Sequence, residues 1–177
     1  MAVPLLVTGG IHLDGFMDTT DARSSYGDRE KKLAILKDSH VGSFAVIGCV
    51  LLIVFQFACC AGVYNWVDSR MLILIPVVSR SCSALAVAVL PKMSTSQYVQ
   101  KKAGTADIYI PVACLLLCLT AAALLSPACG WAVFIQLAVY ALALRKGFKN
   151  LGGMNGDISG YALTVSELSA LGALAIL

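Results

Sequence analysis

Five long apolar stretches divide the 177-residue chain, and most charged residues fall between them. A membrane-spanning helix needs about 20 mostly apolar residues, because the hydrocarbon core is about 30 Å thick and each residue adds about 1.5 Å. The pattern therefore predicts an all-α, polytopic membrane protein that forms one membrane-embedded domain. The predicted spans are residues 42–64, 71–90, 108–125, 128–144 and 159–177.

The chain opens with the apolar segment MAVPLLV, which is too short to cross a membrane. The segment has neither a basic start nor a small-residue cleavage site, so it is not a signal peptide. We interpret it as an N-terminal stub formed by the last turns of a helix. We therefore expect further residues to precede this chain in the complete protein.

The composition supports the membrane assignment. Hydrophobic residues make up 59% of the chain and charged residues 13%, against roughly 45–50% and about 25% in soluble domains. This balance excludes a soluble single-domain enzyme, a disordered chain and a coiled coil. The net charge of +3 does not indicate a nucleic-acid binder. The seven cysteines contain no CxxC pair, so neither a disulfide framework nor a zinc site is expected.

The basic residues are distributed unevenly among the loops. Only Arg70 lies in the two short loops, and Arg80 lies within a span, while the other Lys and Arg residues fall in three loops. Positively charged loops face the cytoplasm in membrane proteins. We therefore predict a multi-pass membrane protein with three cytoplasmic loops, at residues 12–41, 91–107 and 145–158.

The first cytoplasmic loop begins with a dense cluster of acids in the segment GGIHLDGFMDTTDA. If this segment is helical, Asp14, Asp18 and Asp21 lie on one face at positions i, i+4 and i+7. The three like charges repel, and a divalent cation between them would offset that repulsion. Carboxylates suit Mg²⁺ or Mn²⁺, which retain waters and substrate phosphates. We interpret the cluster as a metal site, with a solvated acidic turn as the alternative.

Two further groups in this loop are candidates for catalysis. His12 precedes the first aspartate and is a candidate general base or phosphate-positioning group. Lys37 and Asp38 lie where the loop re-enters the membrane, as a candidate phosphate ligand and a further catalytic carboxylate. The alternative for this pair is an interfacial lysine beside an ordinary helix N-cap.

A glycine-rich turn precedes the fifth span. Gly152, Gly153 and Gly156 are candidate substrate-binding positions, because glycine lets backbone N–H groups approach a phosphate. Asp157 follows as a candidate fourth metal ligand. The turn matches neither GxGxxG nor a Walker A motif, and the alternative is a simple turn into the fifth helix.

Two charged residues lie deep within spans. Arg80 is a candidate substrate ligand, because a guanidinium can hold a phosphate through two hydrogen bonds. The alternative is an ion pair with Glu167 of the fifth span that holds two helices together. Charged groups inside a membrane are energetically expensive and usually functional.

Three motifs now stand in order along the chain: GGxHLDGxxDxxD from Gly9, KDSxxG from Lys37, and GGxxGDxxG from Gly152. Together they resemble the cobalamin synthase family, adenosylcobinamide-GDP ribazoletransferases, with the family's N-terminal segment absent. The resemblance implies a polytopic inner-membrane enzyme that joins adenosylcobinamide-GDP to α-ribazole, or to its 5′-phosphate, and releases GMP. It also implies a requirement for Mg²⁺, with the carboxylate cluster holding the diphosphate.

Two other classes remain alternatives. A CDP-alcohol phosphotransferase shares the Asp-Gly start and the Mg²⁺ chemistry. Here, however, Asp18-Thr19 stands where its Ala-Arg pair is expected, and the later GxxxDxxxD run does not occur. A small membrane transporter would also explain the spans. Its polar residues are expected near the middle of the membrane, whereas here only Arg80 and Glu167 lie deep.

The charge distribution generates a test of topology. In a cysteine-free background, Ser24→Cys and Thr105→Cys are expected to react with a membrane-impermeant thiol reagent only after the cells are broken. Ser69→Cys, in the loop that contains Arg70, is the matched control and should react in intact cells. Labelling of Ser24→Cys or Thr105→Cys from outside intact cells would contradict the predicted orientation.

Overall fold

Eight helices and no strand occur in the residues that the structure, a computed structural model, describes, which are 2–63, 68–93 and 103–177. Three short helices come first and five long ones follow. In chain order they are Ala2–Thr8 (α1), Ile11–Ser24 (α2), Arg29–Leu36 (α3), Ser43–Val63 (α4), Met71–Val89 (α5), Thr105–Leu125 (α6), Pro127–Leu151 (α7) and Gly156–Ile176 (α8).

The five long helices confirm the predicted fold class. Helices α4 to α8 contain 19–25 residues each and are long and apolar enough to cross a membrane. Their outward faces carry exposed apolar side chains such as Phe55 and Leu117. Such faces are compatible with lipid, and the helical backbone satisfies its own hydrogen bonds there.

The prediction of a loop from His12 to Val41 is wrong, because helices α2 and α3 occupy most of that segment. Two glycines with positive φ, Gly9 at 61° and Gly10 at 81°, separate α2 from the short α1. The Asp28 side chain accepts a hydrogen bond from the Lys31 N–H at 2.9 Å and caps α3. The acidic residues led to the prediction of a solvated loop, but the opposite side of α2 is buried in the bundle.

The predicted loop at residues 145–158 is also too long. Helix α7 continues through its basic residues to Leu151 and ends at Gly152, whose φ of 82° is the left-handed conformation that terminates many helices. The true turn covers residues 152–155. Its Met154 N–H donates to the Pro91 carbonyl at 2.9 Å, which joins this turn to the end of α5. Of the predicted loop at residues 91–107, residues 94–102 lie outside the described part, with Lys101 and Lys102 among them.

Helix α8 occupies the centre of the bundle and packs against α2, α4, α5 and α7. It has the most buried surface of the five long helices. Helices α2 and α8 cross closely at two glycines. A Cβ atom on Gly15 would lie 2.9 Å from the Cα of Asp157, and one on Gly160 would lie 3.0 Å from the carbonyl oxygen of His12. The crossing therefore requires glycine on α2 and favours it on α8.

Aromatic contacts extend this crossing toward the end of α2. The ring of Phe16, which is buried, stacks on the ring of Tyr161 with centroids 5.7 Å apart. The Arg23 guanidinium lies 4.8 Å from the centroid of the same ring. Stacking and cation–π contacts of this kind each contribute about 0.5–1.5 kcal/mol. They fix the rotation of α2 about its own axis.

The close crossing generates a prediction of stability. Gly15→Ala should lower the melting temperature in detergent, because overpacking against backbone costs about 1–3 kcal/mol. Gly62→Ala is the matched control, since its Cβ would meet Ala175 at an ordinary 3.6 Å. That change should be neutral or stabilising, because alanine favours a helix interior by about 0.8–1 kcal/mol over glycine. Equal melting temperatures for both variants would show that the crossing is not tight.

Candidate active site

A cavity of about 690 Å³ lies at one end of the bundle, between α2, α3, the end of α5 and the start of α8. Its walls combine apolar groups, including Leu33, Leu36 and Met93, with acids, a lysine, a histidine and two serines. The polar lining residues are His12, Asp14, Lys37, Ser83, Asn155, Asp157 and Ser159. A pocket of this size and mixed chemistry is typical of a ligand site.

The structure brings the early acidic motif and the late glycine motif together at this cavity. Asp14 of α2 and Asp157 in the first turn of α8 both line it, because Gly15 packs directly on the Asp157 backbone. Asn155 fixes the Asp157 side chain by donating from Nδ2 to Oδ2 at 2.7 Å. The Asn155 Oδ1 also accepts from the Ile158 N–H at 3.0 Å and caps α8. One buried asparagine thus sets both the helix start and the carboxylate.

The carboxylates create an excess of negative charge. The pKa of Asp18 is raised to about 6, first by burial and then by the charges of Asp14, Asp157 and Asp21. Asp21 lies at the far end of the cluster, with its carboxylate packed against Gly42 at the start of α4. Helix α2 carries Asp14, Asp18 and Asp21, and α8 brings Asp157 close to them.

The donor set fits a hydrated divalent cation. In the described part of the chain, no three His, Cys, Asp or Glu side chains are close enough together to hold a metal ion by themselves. Mg²⁺ is commonly held by one or two carboxylates, with waters and substrate phosphates completing its octahedron. Asp14 and Asp157 on the cavity wall, with Asp18 and Asp21 further along α2, match that mode of binding.

Two further predicted residues reach the cavity. His12 lines the wall one helical turn from the Gly15 crossing, and its pKa is lowered, first by burial and then by the Arg80 guanidinium, against an opposing effect of Glu167. Burial and the Arg80 guanidinium thus disfavour the charged form of the imidazole. Lys37 ends α3 and lines the opposite rim. Among the described residues, Lys37 is the one Lys or Arg side chain that lines the cavity.

Six predicted site residues lie outside the cavity wall: Asp18, Asp21, Asp38, Arg80, Gly152 and Gly153. Asp38 is exposed and accepts hydrogen bonds from the backbone N–H of His40 at 3.0 Å and from its Nδ1 at 2.7 Å, which lowers the pKa of Asp38. Gly152 packs on the Arg29 guanidinium and Gly153 on the Met93 side chain, so both contact protein groups. Of the three predicted glycines, only Gly156 lines the cavity.

Arg80 forms the ion pair that the sequence left as an alternative. Its Nη1 donates to Oε1 of Glu167 and, at 2.9 Å, to Oγ of Ser79. Glu167 is buried, so the pair joins α5 to α8 inside the membrane. Breaking such a pair leaves an uncompensated buried charge, which typically costs 3–5 kcal/mol.

Sequence reasoning missed several residues of the cavity. Ser83 and Ser159 are hydrogen-bonded to each other across α5 and α8, and each stands in an apolar span where a polar residue is a weak signal. Leu33 and Leu36 of α3 form an apolar wall. Their spacing of three residues on a short helix is the pattern that could have revealed a face turned toward protein.

Fold and cavity together define a helical, polytopic membrane protein with an acidic site at one end of its bundle. The family model described as cobalamin-5-phosphate synthase matches residues 1–175, and the chain belongs to that family.

Curated relatives of the chain carry the name adenosylcobinamide-GDP ribazoletransferase. That of Clostridium perfringens strain 13 is 36% identical, covering 100% of this chain and 72% of the relative. That of Clostridium botulinum strain Alaska E43 is 34% identical over 97% of this chain and 70% of the relative. That of Lachnoclostridium phytofermentans is 34% identical over 96% and 66%. No solved structure matches the chain.

The raised pKa of Asp18 generates a prediction of stability. Because the pKa in the folded protein, about 6, exceeds the ordinary value of 3.8, the folded state binds this proton more tightly than the unfolded chain does. The Asp18 charge therefore lowers stability progressively as the pH rises from about 4 through about 6.

Without divalent cations, Asp18→Asn should raise the melting temperature at pH 7 by roughly 2–4 °C, about 1 kcal/mol after allowance for partial exposure. The gain should vanish near pH 4. Asp68→Asn is the control, because Arg70 lowers the pKa of Asp68 to about 2 and no gain is expected there. Melting curves followed by circular dichroism across this pH range measure both variants. A lower melting temperature for Asp18→Asn at pH 7 would contradict the claim that the charge of Asp18 destabilises the folded protein.

Proposed function

We propose that this chain joins adenosylcobinamide-GDP to α-ribazole, or to α-ribazole 5′-phosphate, with release of GMP. The product is adenosylcobalamin or its 5′-phosphate, in a late step of cobalamin synthesis. The observation that carries the proposal is the meeting of Asp14, Lys37 and Asp157, one from each of the three motifs, around one cavity. Membership of the cobalamin-5-phosphate synthase family and the names of the relatives support the same activity.

The proposed reaction is a substitution at phosphorus. A ribose hydroxyl of α-ribazole attacks the phosphorus that carries the cobinamide group, and a new oxygen–phosphorus bond forms. The bond from that phosphorus to the oxygen shared with the GMP phosphorus breaks, and GMP leaves with the electron pair. The attacking group is a hydroxyl other than the 5′ one, because the acceptor can carry a phosphate at that position and the product retains it.

The residues of the cavity have separate tasks in this proposal. Lys37 neutralises phosphate charge from the α3 rim, and Asn155 holds the Asp157 carboxylate in place. The proton of the attacking hydroxyl passes to a carboxylate oxygen of Asp14 or Asp157, or to His12. Leu33, Leu36 and Met93 exclude water from one side. A drier site strengthens each of these electrostatic interactions.

The excess of carboxylates supports a requirement for Mg²⁺. Bound by Asp14 and Asp157, with Asp18 and Asp21 adding negative charge behind them, Mg²⁺ would supply positive charge to the diphosphate and to the leaving GMP. Four neighbouring acids faced by one cavity lysine leave negative charge that a divalent cation would balance.

We further propose that the cavity opens to the cytoplasm from the inner membrane. The basic residues Arg29, Lys32 and Lys37 lie at the same end of the bundle as the cavity, where α3 meets the end of α7. That end is the cytoplasmic one by the positive-inside rule. The GDP-linked substrate would then enter from the compartment that holds nucleotides.

The proposal predicts the effect of removing single carboxylates. Asp14→Ala and Asp157→Ala should each lower kcat at least 100-fold, because charge stabilisation by a bound metal is worth several kcal/mol. Raising the Mg²⁺ concentration should partly restore activity to a variant that has lost one ligand. The assay is GMP release from adenosylcobinamide-GDP by the purified protein in liposomes, with α-ribazole as acceptor.

Asp68→Asn is the matched control for this assay. Asp68 is part of an exposed pair with Arg70, in the loop between α4 and α5, and should be neutral. Near-normal turnover in the Asp14→Ala and Asp157→Ala variants would show that the acidic cluster is a solvated surface and not part of the active site.

A further inference from the structure

A buried polar cluster lies behind the cavity, halfway along α5 and α8. The Ser79 hydroxyl donates to Oε1 of Glu167 at 2.6 Å, and its oxygen accepts from Nη1 of Arg80 at 2.9 Å. The same Nη1 contacts Glu167 and the carbonyl oxygen of Pro76, the latter at 3.3 Å. Arg80 is thus held through one nitrogen by groups of its own helix and of α8.

The other terminal nitrogen of Arg80 points to the candidate site. Its Nη2 lies 3.5 Å from Nδ1 of His12, and Arg80 itself is not part of the cavity wall. His12 belongs both to that wall and to a small internal space of about 30 Å³ that Arg80 and Glu167 also line. The imidazole therefore stands between the polar cluster and the cavity.

The backbone of His12 is fixed by α8. The Thr164 hydroxyl donates to the His12 carbonyl oxygen at 3.3 Å. Gly160 packs against the same residue, and a Cβ atom there would lie 3.0 Å from the His12 carbonyl oxygen. With the backbone fixed and Nδ1 facing Arg80, the ring can present its other nitrogen, Nε2, to the cavity.

The hydrogen-bonding chemistry of the pair determines the tautomer. A guanidinium only donates hydrogen bonds, so the nitrogen that faces it must accept one. If Nδ1 carried the proton, two hydrogen-bond donors would face each other with no acceptor between them. A neutral His12 therefore carries its proton on Nε2, where it is a hydrogen-bond donor and has no lone pair for a proton from substrate.

We propose that His12 donates a hydrogen bond from Nε2 to a phosphate oxygen of the substrate, and that Arg80 is a positioning residue that holds His12 in this tautomer. The inference rests on the proposed transferase function. It leaves a carboxylate oxygen of Asp14 or Asp157 as the acceptor of the hydroxyl proton. It also assigns the Arg80–Glu167 pair a task beyond joining two helices.

The tautomer is measured without substrate. The chain contains two histidines, and nitrogen NMR of protein labelled with ¹⁵N-histidine in detergent distinguishes a protonated from an unprotonated ring nitrogen. At a pH well above the ordinary histidine pKa of about 6.5, His12 should show an unprotonated Nδ1 and a protonated Nε2.

His40 is the internal reference. Its Nδ1 faces a carboxylate oxygen of Asp38 at 2.7 Å, which favours the proton on Nδ1. His40→Gln assigns the two sets of signals. Arg80→Leu should move the His12 signals toward a mixture of tautomers. A protonated Nδ1 on His12 of the wild-type protein overturns the inference, whether or not the Arg80→Leu variant folds.

Activity separates a donor from a base. His12→Gln retains an amide N–H donor but has no basic nitrogen, so it should keep kcat within about tenfold of wild type, while His12→Ala should lose at least 100-fold. His40→Gln should be unchanged. If His12→Gln is as inactive as His12→Ala, His12 is not acting as a donor. A wild-type protein without transferase activity would instead contradict the proposed function, and the NMR spectrum would still decide the tautomer.

Discussion

The close approach of α2 to α8 is the constraint on which the rest of the site depends. Gly15 and Gly160 let the two backbones meet so closely that a Cβ atom would lie 2.9 Å from the facing backbone at Gly15 and 3.0 Å from it at Gly160. Because of that contact, Asp14 and Asp157 line the same cavity although 142 intervening residues separate them in the chain. The same contact brings His12 to Arg80, deep in the bundle. A shift of α2 by the width of one methyl group would disturb the acidic cluster and the His12–Arg80 contact together.

The acidic residues at the cavity destabilise the folded protein when no cation is bound. The pKa of Asp18 is raised by burial and by its three acidic neighbours, which means that the folded chain carries a repulsion that nothing in the cluster neutralises. Lys37 is the one lysine of the cavity wall among the described residues. A site that is destabilised by its own charge gains stability when a cation or a phosphate–cation pair binds, because binding removes part of the repulsion.

Basic residues of α3, which the positive-inside rule uses to predict topology, also bind α3 to α7. The Arg29 Nε donates to the Leu151 carbonyl oxygen at 3.3 Å, and Nζ of Lys32 donates to Oδ1 of Asn150 at 3.3 Å. These cations meet the carboxyl end of α7, where the helix dipole is negative. They hold α3 beside the cavity, which explains why Gly152 contacts Arg29 and not the cavity.

The sequence by itself determined the five long apolar helices, because the thickness of a membrane dictates their length and the hydropathy of their residues. It also determined that Asp14, Asp18 and Asp21 share one helical face, since three and four residues make about one turn. Local patterns could not reveal that α2 enters the bundle, because a helix with three acids and a buried glycine face has an average polarity close to that of a loop.

Only the tertiary structure decided which candidates share a site. It separated Gly156 at the cavity from Gly152 and Gly153 in protein contacts, and it paired Arg80 with Glu167. These outcomes depend on the angle and depth at which α8 packs between its neighbours, and packing between residues more than a hundred positions apart leaves no periodic signal in one sequence.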